Sequence, residues 1–400
     1  MSSTDPMLMK AVAVHKAGRI AEAKKIYERI LKRRPEDPDA LNFLGMLEYQ
    51  RGEKRRSRAL LEKSVRSAPG NPHAWLNLGN VRMAEGDTDD AAAAYEHATG
   101  LAPDLWQAWL NRGICLRRLS RFEEAIDCLK KAVNLKPKDD VIYERLGRIL
   151  YRAGRLEEIK SLYRDWVAFN PGNPTARHML AAATGESPPE RASDEYVRRT
   201  FDTFADTFDE NLSDLHYRAP QLLAAALERC WRPAPGAGLP DVLDAGVGTG
   251  LSGPLLRDRA GRLVGVDLSG GMVEKARQRG LYDELVIAEL CQFMRERRGA
   301  FDVVLSADTL VYFGALEEAL AAAHTCLRPG GLLLFSVERW TTDDPEARYC
   351  MQVHGRYAHA ATYVRSALAA SGFQLSELGE EVLRSEIGVD VGGLVAAAIR

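Results

Sequence analysis

The stretch that decides the fold is Val242-Leu-Asp-Ala-Gly-Val-Gly-Thr-Gly-Leu-Ser-Gly253. A short apolar run ends in Asp244, a glycine turn follows at Gly246, Gly248 and Gly250, and a helix is expected after it. Glycine permits the tight turn and carries no Cβ to hold a ligand off the backbone. A second apolar run, Leu263-Val-Gly-Val266, ends in Asp267. A carboxylate at the tip of a second strand is placed to accept hydrogen bonds from the two hydroxyls of a ribose. The pattern predicts an α/β domain that holds a nucleoside-bearing cofactor.

Two cofactors compete for that turn. Gly248-Thr-Gly250-Leu-Ser-Gly253 fits the dinucleotide fingerprint G-x-G-x-x-G. The fingerprint needs its first glycine directly after the strand. Here that glycine is Gly246, and counting from it puts Leu251 in the third glycine's place. Asp244 separates the readings further. A carboxylate at the strand tip opposes a pyrophosphate but suits a methionine ammonium group, directly or through water. These details favour S-adenosylmethionine over NAD. A turn that binds nothing is the third reading, and Asp267 weighs against it.

Further segments follow in order. Leu285-Val-Ile287 runs into Ala288-Glu289, and Phe301-Asp-Val-Val-Leu-Ser-Ala-Asp308 reads as a fourth strand and its exit. Leu327-Arg-Pro-Gly-Gly331 turns into the apolar Leu332-Leu-Leu-Phe335, and Phe373-Gln-Leu-Ser and Gly393-Leu-Val-Ala-Ala-Ala-Ile399 read as closing strands. In this order the segments resemble a class I S-adenosylmethionine-dependent methyltransferase over residues 196–400. The resemblance implies a Rossmann-like seven-stranded α/β domain. It also implies roles: Asp244 at the ammonium group, Gly246, Gly248 and Gly250 along the methionine end, and Asp267 with Leu268 at the ribose. Glu289 with Leu290 falls at the adenine, and Asp308 beside the methyl-transfer site. Many members carry Asp where this chain has Glu289, which is one methylene longer.

The first half has a different grammar. Prolines recur at 35, 69, 103, 137 and 171, every 34 residues, with Ala11, Gly45, Gly79, Gly113 and Gly147 in step. A period of 34 with this pattern is that of the helix-turn-helix tetratricopeptide repeat. The small residue lets the second helix pack closely on the first, and each proline ends a second helix. Five repeats and a capping helix at 174–183 are expected over residues 1–183, with a linker at 184–195. Such solenoids leave a concave face for ligands. The second half carries Phe201, Phe204, Phe208 and Leu212 at helical spacing, on one face. That helix either lids the site or packs on the sheet. With Leu215-His-Tyr-Arg-Ala-Pro220, it is also similar to bacterial methyltransferases that bear tetratricopeptide repeats.

The net charge of −2 hides an asymmetry: residues 1–183 carry 32 Lys+Arg against 24 Asp+Glu, and residues 184–400 carry 22 against 32. The acidic half is a poor nucleic-acid binder, since that needs neutralised phosphates. The basic half suits an acidic partner, with Arg55-Arg56 and Arg117-Arg118 as the places to test; a solvated helix face is the plainer reading. Six cysteines show no metal-type spacing, no apolar run reaches membrane length, and the first ten residues lack a signal pattern. A cytoplasmic protein without metal or membrane span is expected.

Methyl transfer from a sulfonium is an in-line displacement, so a methyltransferase mainly aligns the nucleophile and excludes water. A base is needed only where the nucleophile must lose a proton. Ligands of open α/β sheets sit beyond the carboxyl ends of the strands. The candidate substrate residues there are Tyr312, Glu338 and Arg356. The cluster His354-Gly-Arg-Tyr-Ala-His359 supplies His354, Tyr357 and His359 as candidate catalytic groups. In the repeats, Asn77, Asn80 and Asn111 either bind a partner's extended backbone or stabilise the solenoid. The function expected is methyl transfer to an acceptor that the repeats recruit or position. A scaffold that binds the cofactor without turnover, and a nicotinamide enzyme, are the competing readings.

Overall fold

A computed structural model describes residues 5–400 except 210, 211, 213, 214, 233–235, 237 and 387. The chain divides into two compact units, residues 1–170 and 171–400. The helix read as a cap, α11 (Pro174–Thr184), is grouped with the second unit.

The first unit is five helical hairpins. They are α1 (Pro6–Lys16) with α2 (Ile20–Arg33), α3 (Pro38–Gln50) with α4 (Lys54–Ser67), α5 (Pro72–Glu85) with α6 (Thr88–Leu101), α7 (Trp106–Arg118) with α8 (Phe122–Leu135), and α9 (Asp140–Arg152) with α10 (Leu156–Phe169). Side chains of Asp5, Asp37, Asn71 and Asp139 cap the first helices of four repeats by accepting backbone N–H bonds. Each small residue meets the residue sixteen positions on. A Cβ on Gly45 would stand 2.7 Å from Leu61, on Gly79 2.5 Å from the Tyr95 ring, and on Gly113 2.8 Å from Leu129. Hydrophobic clusters run through the stack, as expected of repeats that bury their faces only against neighbours.

The second unit is a twisted sheet with helices on both faces. Five parallel strands stand in the order β3 (Glu284–Ile287), β2 (Arg262–Asp267), β1 (Asp241–Ala245), β4 (Phe301–Ser306), β5 (Leu327–Arg339). The sheet is closed by the antiparallel β9 (Val389–Ile399) and β8 (Gln374–Glu386). Successive residues of β1 and β2 alternate between two cores, Leu243, Ala245, Val264 and Val266 on one face and Val242 and Leu263 on the other. Burial on both faces explains why these strands read as continuous apolar runs.

Those seven strands are joined by a hairpin the sequence reading did not foresee, β6 (Tyr349–Met351) and β7 (Tyr357–His359). Glu338 pairs with Gly393 of β9 on one side and with Ala358 of β7 on the other. The hairpin therefore continues the β4 side of β5, past the end of β4. The polar cluster at 354–359 is the turn and second strand of this hairpin rather than a loop over the site.

The expected linker, residues 184–195, is packed over its second half. The Glu190 carbonyl accepts N–H bonds from Gly314 and Ala315, Arg191 bridges to Phe313, and the Ala192 N–H donates to the Tyr312 carbonyl. Helix α12 (Asp194–Phe204) then begins, capped by Ser193.

Candidate active site

A cavity opens at the carboxyl ends of the parallel strands. Its walls include Gly246, Gly248, Asp267, Leu268, Glu289, Leu290, Asp308, Tyr312 and Arg356 from the sequence reading. Gly246, Gly248 and Gly250 all hold left-handed backbone, with φ of +87°, +52° and +84°. A Cβ on Gly246 would stand 1.9 Å from the Thr309 hydroxyl, while the space beside Gly248 is open. The turn thus needs glycine for its conformation at all three positions and for room at Gly246.

Asp267 ends β2 at the cavity wall. Its carboxylate accepts the Gly248 N–H and the Ser269 N–H, each at 2.9 Å, which ties the strand tip to the glycine turn. Burial pushes its carboxyl up, and those N–H bonds oppose the shift. Glu289 caps the helix Leu290–Glu296 and accepts the Gln292 N–H at 2.7 Å and an Arg191 N–H at 2.9 Å. Burial works against its charge, but these donors hold the carboxyl below its usual range.

Asp244 lies beneath the turn rather than on the cavity wall. It is 1% exposed and accepts the Tyr282 hydroxyl at 2.6 Å. Burial pushes its carboxyl up to about 7, with the Asp267 charge adding to the shift. Tyr282, which lies in no motif of the sequence reading, fills the space behind Gly250 and Gly253.

The aromatic helix covers the cavity. Val197, Phe201, Phe208 and Leu212 line it, and Phe201 meets Phe208 and Tyr312 edge-on at 5.9 and 5.4 Å. The same segment turns acids the other way. Asp202 accepts the Ser269 hydroxyl and the Gly271 N–H, Asp206 pairs with Lys275 at 2.8 Å, and Asp209 accepts from Thr249 and Arg279. The segment therefore lids the cavity and is docked on the rim by its acids.

The far end of the cavity is polar. Asp308, Tyr217, Tyr312, Arg356 and Arg384 meet there. Asp308 is a non-glycine residue with φ of +51°, a conformation that costs energy and is held by its surroundings. Its carboxylate accepts the Ser336 hydroxyl at 2.6 Å, and burial raises its carboxyl. Arg384 is 2% exposed and pairs with Glu338 and, at 2.7 Å, with Glu386. Arg356 lies 3.4 Å from Glu338 and 3.2 Å from Glu386, with its side chain 29% exposed. Tyr217 and Arg384 escaped the sequence reading. Arg384 lies in no motif, and the segment 215–220 that holds Tyr217 carries a resemblance but no role for the tyrosine, so only the fold brings them in.

The candidate catalytic groups are not brought to the cavity. His359 is buried, its Nε2 bonded to the Phe313 and Gly314 carbonyls at 2.8 and 3.1 Å, and burial lowers its pKa to about 4. Tyr357 is buried and donates to the Pro189 carbonyl at 2.6 Å. His354 stands 3.3 Å from Glu338. Glu338, expected at the substrate, is instead the buried partner of Arg384, Arg356 and His354, which hold its carboxyl low against the cost of burial. These groups brace the floor of the site.

In the first unit, Asn77 donates to Asn42 and Asn111 donates to Asn80, both at 2.9 Å, while Asn80 also accepts the Tyr95 hydroxyl. The amides link successive repeats. Among the described residues no group of three or more His, Cys, Asp or Glu is arranged to hold a metal, and no helix is long and apolar enough to cross a membrane.

Comparisons with known proteins agree with both halves. The family model described as "Cilia and flagella-associated protein 70 C-terminal domain" matches residues 2–206, and one described as "Methyltransferase domain" matches residues 243–335. Human methyltransferase-like protein 27 is 35% identical over 135 residues, 33% of this chain and 54% of that protein. The malonyl-[acyl-carrier protein] O-methyltransferase of Serratia marcescens is 32% identical over 138 residues, 34% of this chain and 54% of that protein. The chain thus spans about half the length of these curated relatives. A solved structure of MamA is 19% identical with a TM-score of 0.38, covering 40% of this chain and 94% of that one. The chain belongs, over its first half, to the Cilia and flagella-associated protein 70 C-terminal domain family, and it joins these tetratricopeptide repeats to a class I S-adenosylmethionine-dependent methyltransferase domain.

Proposed function

We propose that the second unit transfers a methyl group from S-adenosylmethionine to an acidic acceptor, and that the repeats recruit the protein that carries or presents this acceptor. The observation that carries the reading is the left-handed Gly248 with open space beside it, tied to the Asp267 carboxylate at the cavity wall. S-adenosylmethionine supplies a methyl group made electrophilic by the sulfonium charge.

This chain's residues do the rest. Gly246, Gly248 and Gly250 let the backbone run close to the methionine end. Asp244 supports its ammonium group from below the turn. Asp267 takes the ribose hydroxyls, with Leu268 beside it, and Glu289 and Leu290 receive the adenine. Phe201, Phe208 and Tyr312 exclude water, which strengthens every electrostatic contact inside. Arg356 anchors the acceptor's acidic group, and Glu338 and Glu386 fix the guanidinium in place. Where the acceptor must lose a proton, an Asp308 carboxylate oxygen is the group positioned to take it. The relative named for a carrier-bound malonyl acceptor supports an acidic acceptor delivered on a protein. Asn77, Asn80 and Asn111 would meet such a partner's extended backbone, besides the bonds by which they link the repeats.

Calorimetric titration of S-adenosylhomocysteine into the wild type and Asp267→Ala tests the reading. Micromolar binding, weakened tenfold or more (about 1.4 kcal/mol) by the substitution, is expected. No binding to the wild type would overturn it.

A further inference from the structure

Arg191 lies in the segment expected as a linker, yet it lines the cofactor cavity together with Glu289. Backbone bonds fix it from both sides. The Glu190 carbonyl accepts the Gly314 N–H at 2.8 Å and the Ala315 N–H at 2.9 Å, and the Ala192 N–H donates to the Tyr312 carbonyl at 2.8 Å. The Arg191 guanidinium lies over the Phe313 ring, 5.4 Å from its centroid. One guanidinium nitrogen donates to Glu289 Oε1 at 2.9 Å, and another donates to Asp194, in the first turn of α12, at 2.5 Å. Arg191 thus joins the start of the lid helix to the carboxylate that faces the adenine in the reading above.

Glu289 needs such a hold. Its side chain has one more rotatable bond than aspartate, and each free rotor costs entropy when a hydrogen bond fixes it. Both of its oxygens are engaged, Oε2 by the Gln292 N–H at 2.7 Å and Oε1 by Arg191. A carboxylate oxygen has a second lone pair, so the group can still accept from an amino group. Charge state matters as much as position. An ionised carboxylate only accepts, so it suits the amino group of adenine and repels the carbonyl oxygen of a 6-oxopurine. A protonated carboxyl has an O–H to donate and serves either base. Burial favours that neutral form at Glu289, and the Gln292 N–H and Arg191 outweigh it.

We propose that Arg191 is a positioning residue that makes the cofactor site specific for adenine, by clamping Glu289 as a hydrogen-bond acceptor for the amino group. The inference rests on the reading that this cavity holds S-adenosylmethionine, and it deepens that reading at the base. It also makes the segment before α12 a part of the cofactor site. No motif marks the role, because Arg191 acts through a carboxylate 98 positions away in the chain. A plain ion pair that steadies the fold is the competing account. Exposed pairs of that kind contribute little. Here both partners line the cavity and both are partly buried, with side chains 29% and 19% exposed.

The test titrates S-adenosylhomocysteine and S-inosylhomocysteine, its 6-oxo counterpart, into the full chain by calorimetry. The wild type should prefer S-adenosylhomocysteine by roughly a hundredfold, since the oxo analogue sets an acceptor against the carboxylate. Arg191→Gln should weaken S-adenosylhomocysteine about tenfold and leave S-inosylhomocysteine nearly unchanged, so the preference shrinks about tenfold. Arg191→Lys keeps a cation beside Glu289 without the planar fork and should lose only about threefold of the preference. If circular dichroism shows that Arg191→Gln has lost its fold, Arg191→Lys is compared with the wild type instead. An unchanged preference in the folded variant, or equal weakening of both ligands, would overturn the proposal, because an ion pair that only braces the fold acts on both ligands alike. A wild type that binds both ligands equally would overturn it too and leave the cofactor reading standing. Failure of the wild type to bind S-adenosylhomocysteine would instead condemn the cofactor reading, and this inference with it.

Discussion

Glycine does two different jobs in the two halves of this chain. In the repeats, Gly45, Gly79, Gly113 and Gly147 sit inside helices, and each marks the place where a side chain of the second helix presses against the first. In the methyltransferase unit, Gly246, Gly248 and Gly250 sit in a turn with left-handed backbone. There, one glycine faces Thr309, one faces open space, and one faces Arg279 and Tyr282. The first set answers a packing demand that recurs every 34 residues. The second set answers a conformational demand that occurs once, beside a cavity. A residue type carries no meaning until its neighbour is known.

Substitutions can break this contrast. The largest effect is expected at Gly246→Val. Its side chain would need a left-handed backbone and would overlap Thr309, so S-adenosylhomocysteine affinity should fall by about a hundredfold or more. The helical signal of the repeats should be unchanged. Retained affinity would show that the turn can be rebuilt around a side chain. Gly79→Ala should do the reverse. The Tyr95 ring is buried and its hydroxyl is bonded to Asn80, so it cannot move freely. A loss of about 1–3 kcal/mol in urea unfolding is expected, with cofactor affinity intact. An unchanged midpoint would mean that the hairpin opens without strain.

The pH dependence of cofactor binding sharpens the comparison further, with a smaller effect. The Asp244 carboxyl is held at about 7, so it is mostly protonated at pH 6 and mostly ionised at pH 8. A ligand ammonium group favours the ionised form. Affinity should therefore rise several-fold from pH 6 to pH 8, and flatten in Asp244→Asn. A flat profile in the wild type would remove Asp244 from the ammonium site. The smallest effect is expected at the lid. Asp209→Asn loses an ion pair with Arg279 at the rim, where Arg279 is partly exposed. A weakening of about two- to threefold in S-adenosylhomocysteine affinity is expected, growing smaller at high salt.

Much of the site was legible because its residues sit at the ends of regular elements. Asp267 ends β2 and Glu289 stands two residues beyond β3, and a carboxylate at the end of a parallel strand points to the carboxyl rim whatever else the fold does. The histidine cluster misled for the converse reason. Composition alone made residues 354–359 look reactive, but the strand β7 turns His359 and Tyr357 inward onto backbone carbonyls. A buried ring that spends a nitrogen on two carbonyls is a structural group.

The sequence by itself determined the five-repeat register, the α/β unit, the glycine turn and the acids around it. These are local or periodic signals, and each is set by what the backbone permits within a few residues or by a repeat of fixed length. The tertiary structure alone decided what surrounds each charge. Arg56 and Arg117 look alike in the sequence, but only folding puts Glu28 and Glu48 beside one and four arginines beside the other. It likewise decided that Arg384 and Tyr217, far apart in the chain, meet Asp308 at one end of the cavity. Charge and burial depend on neighbours distant in sequence, and no short window of residues contains them.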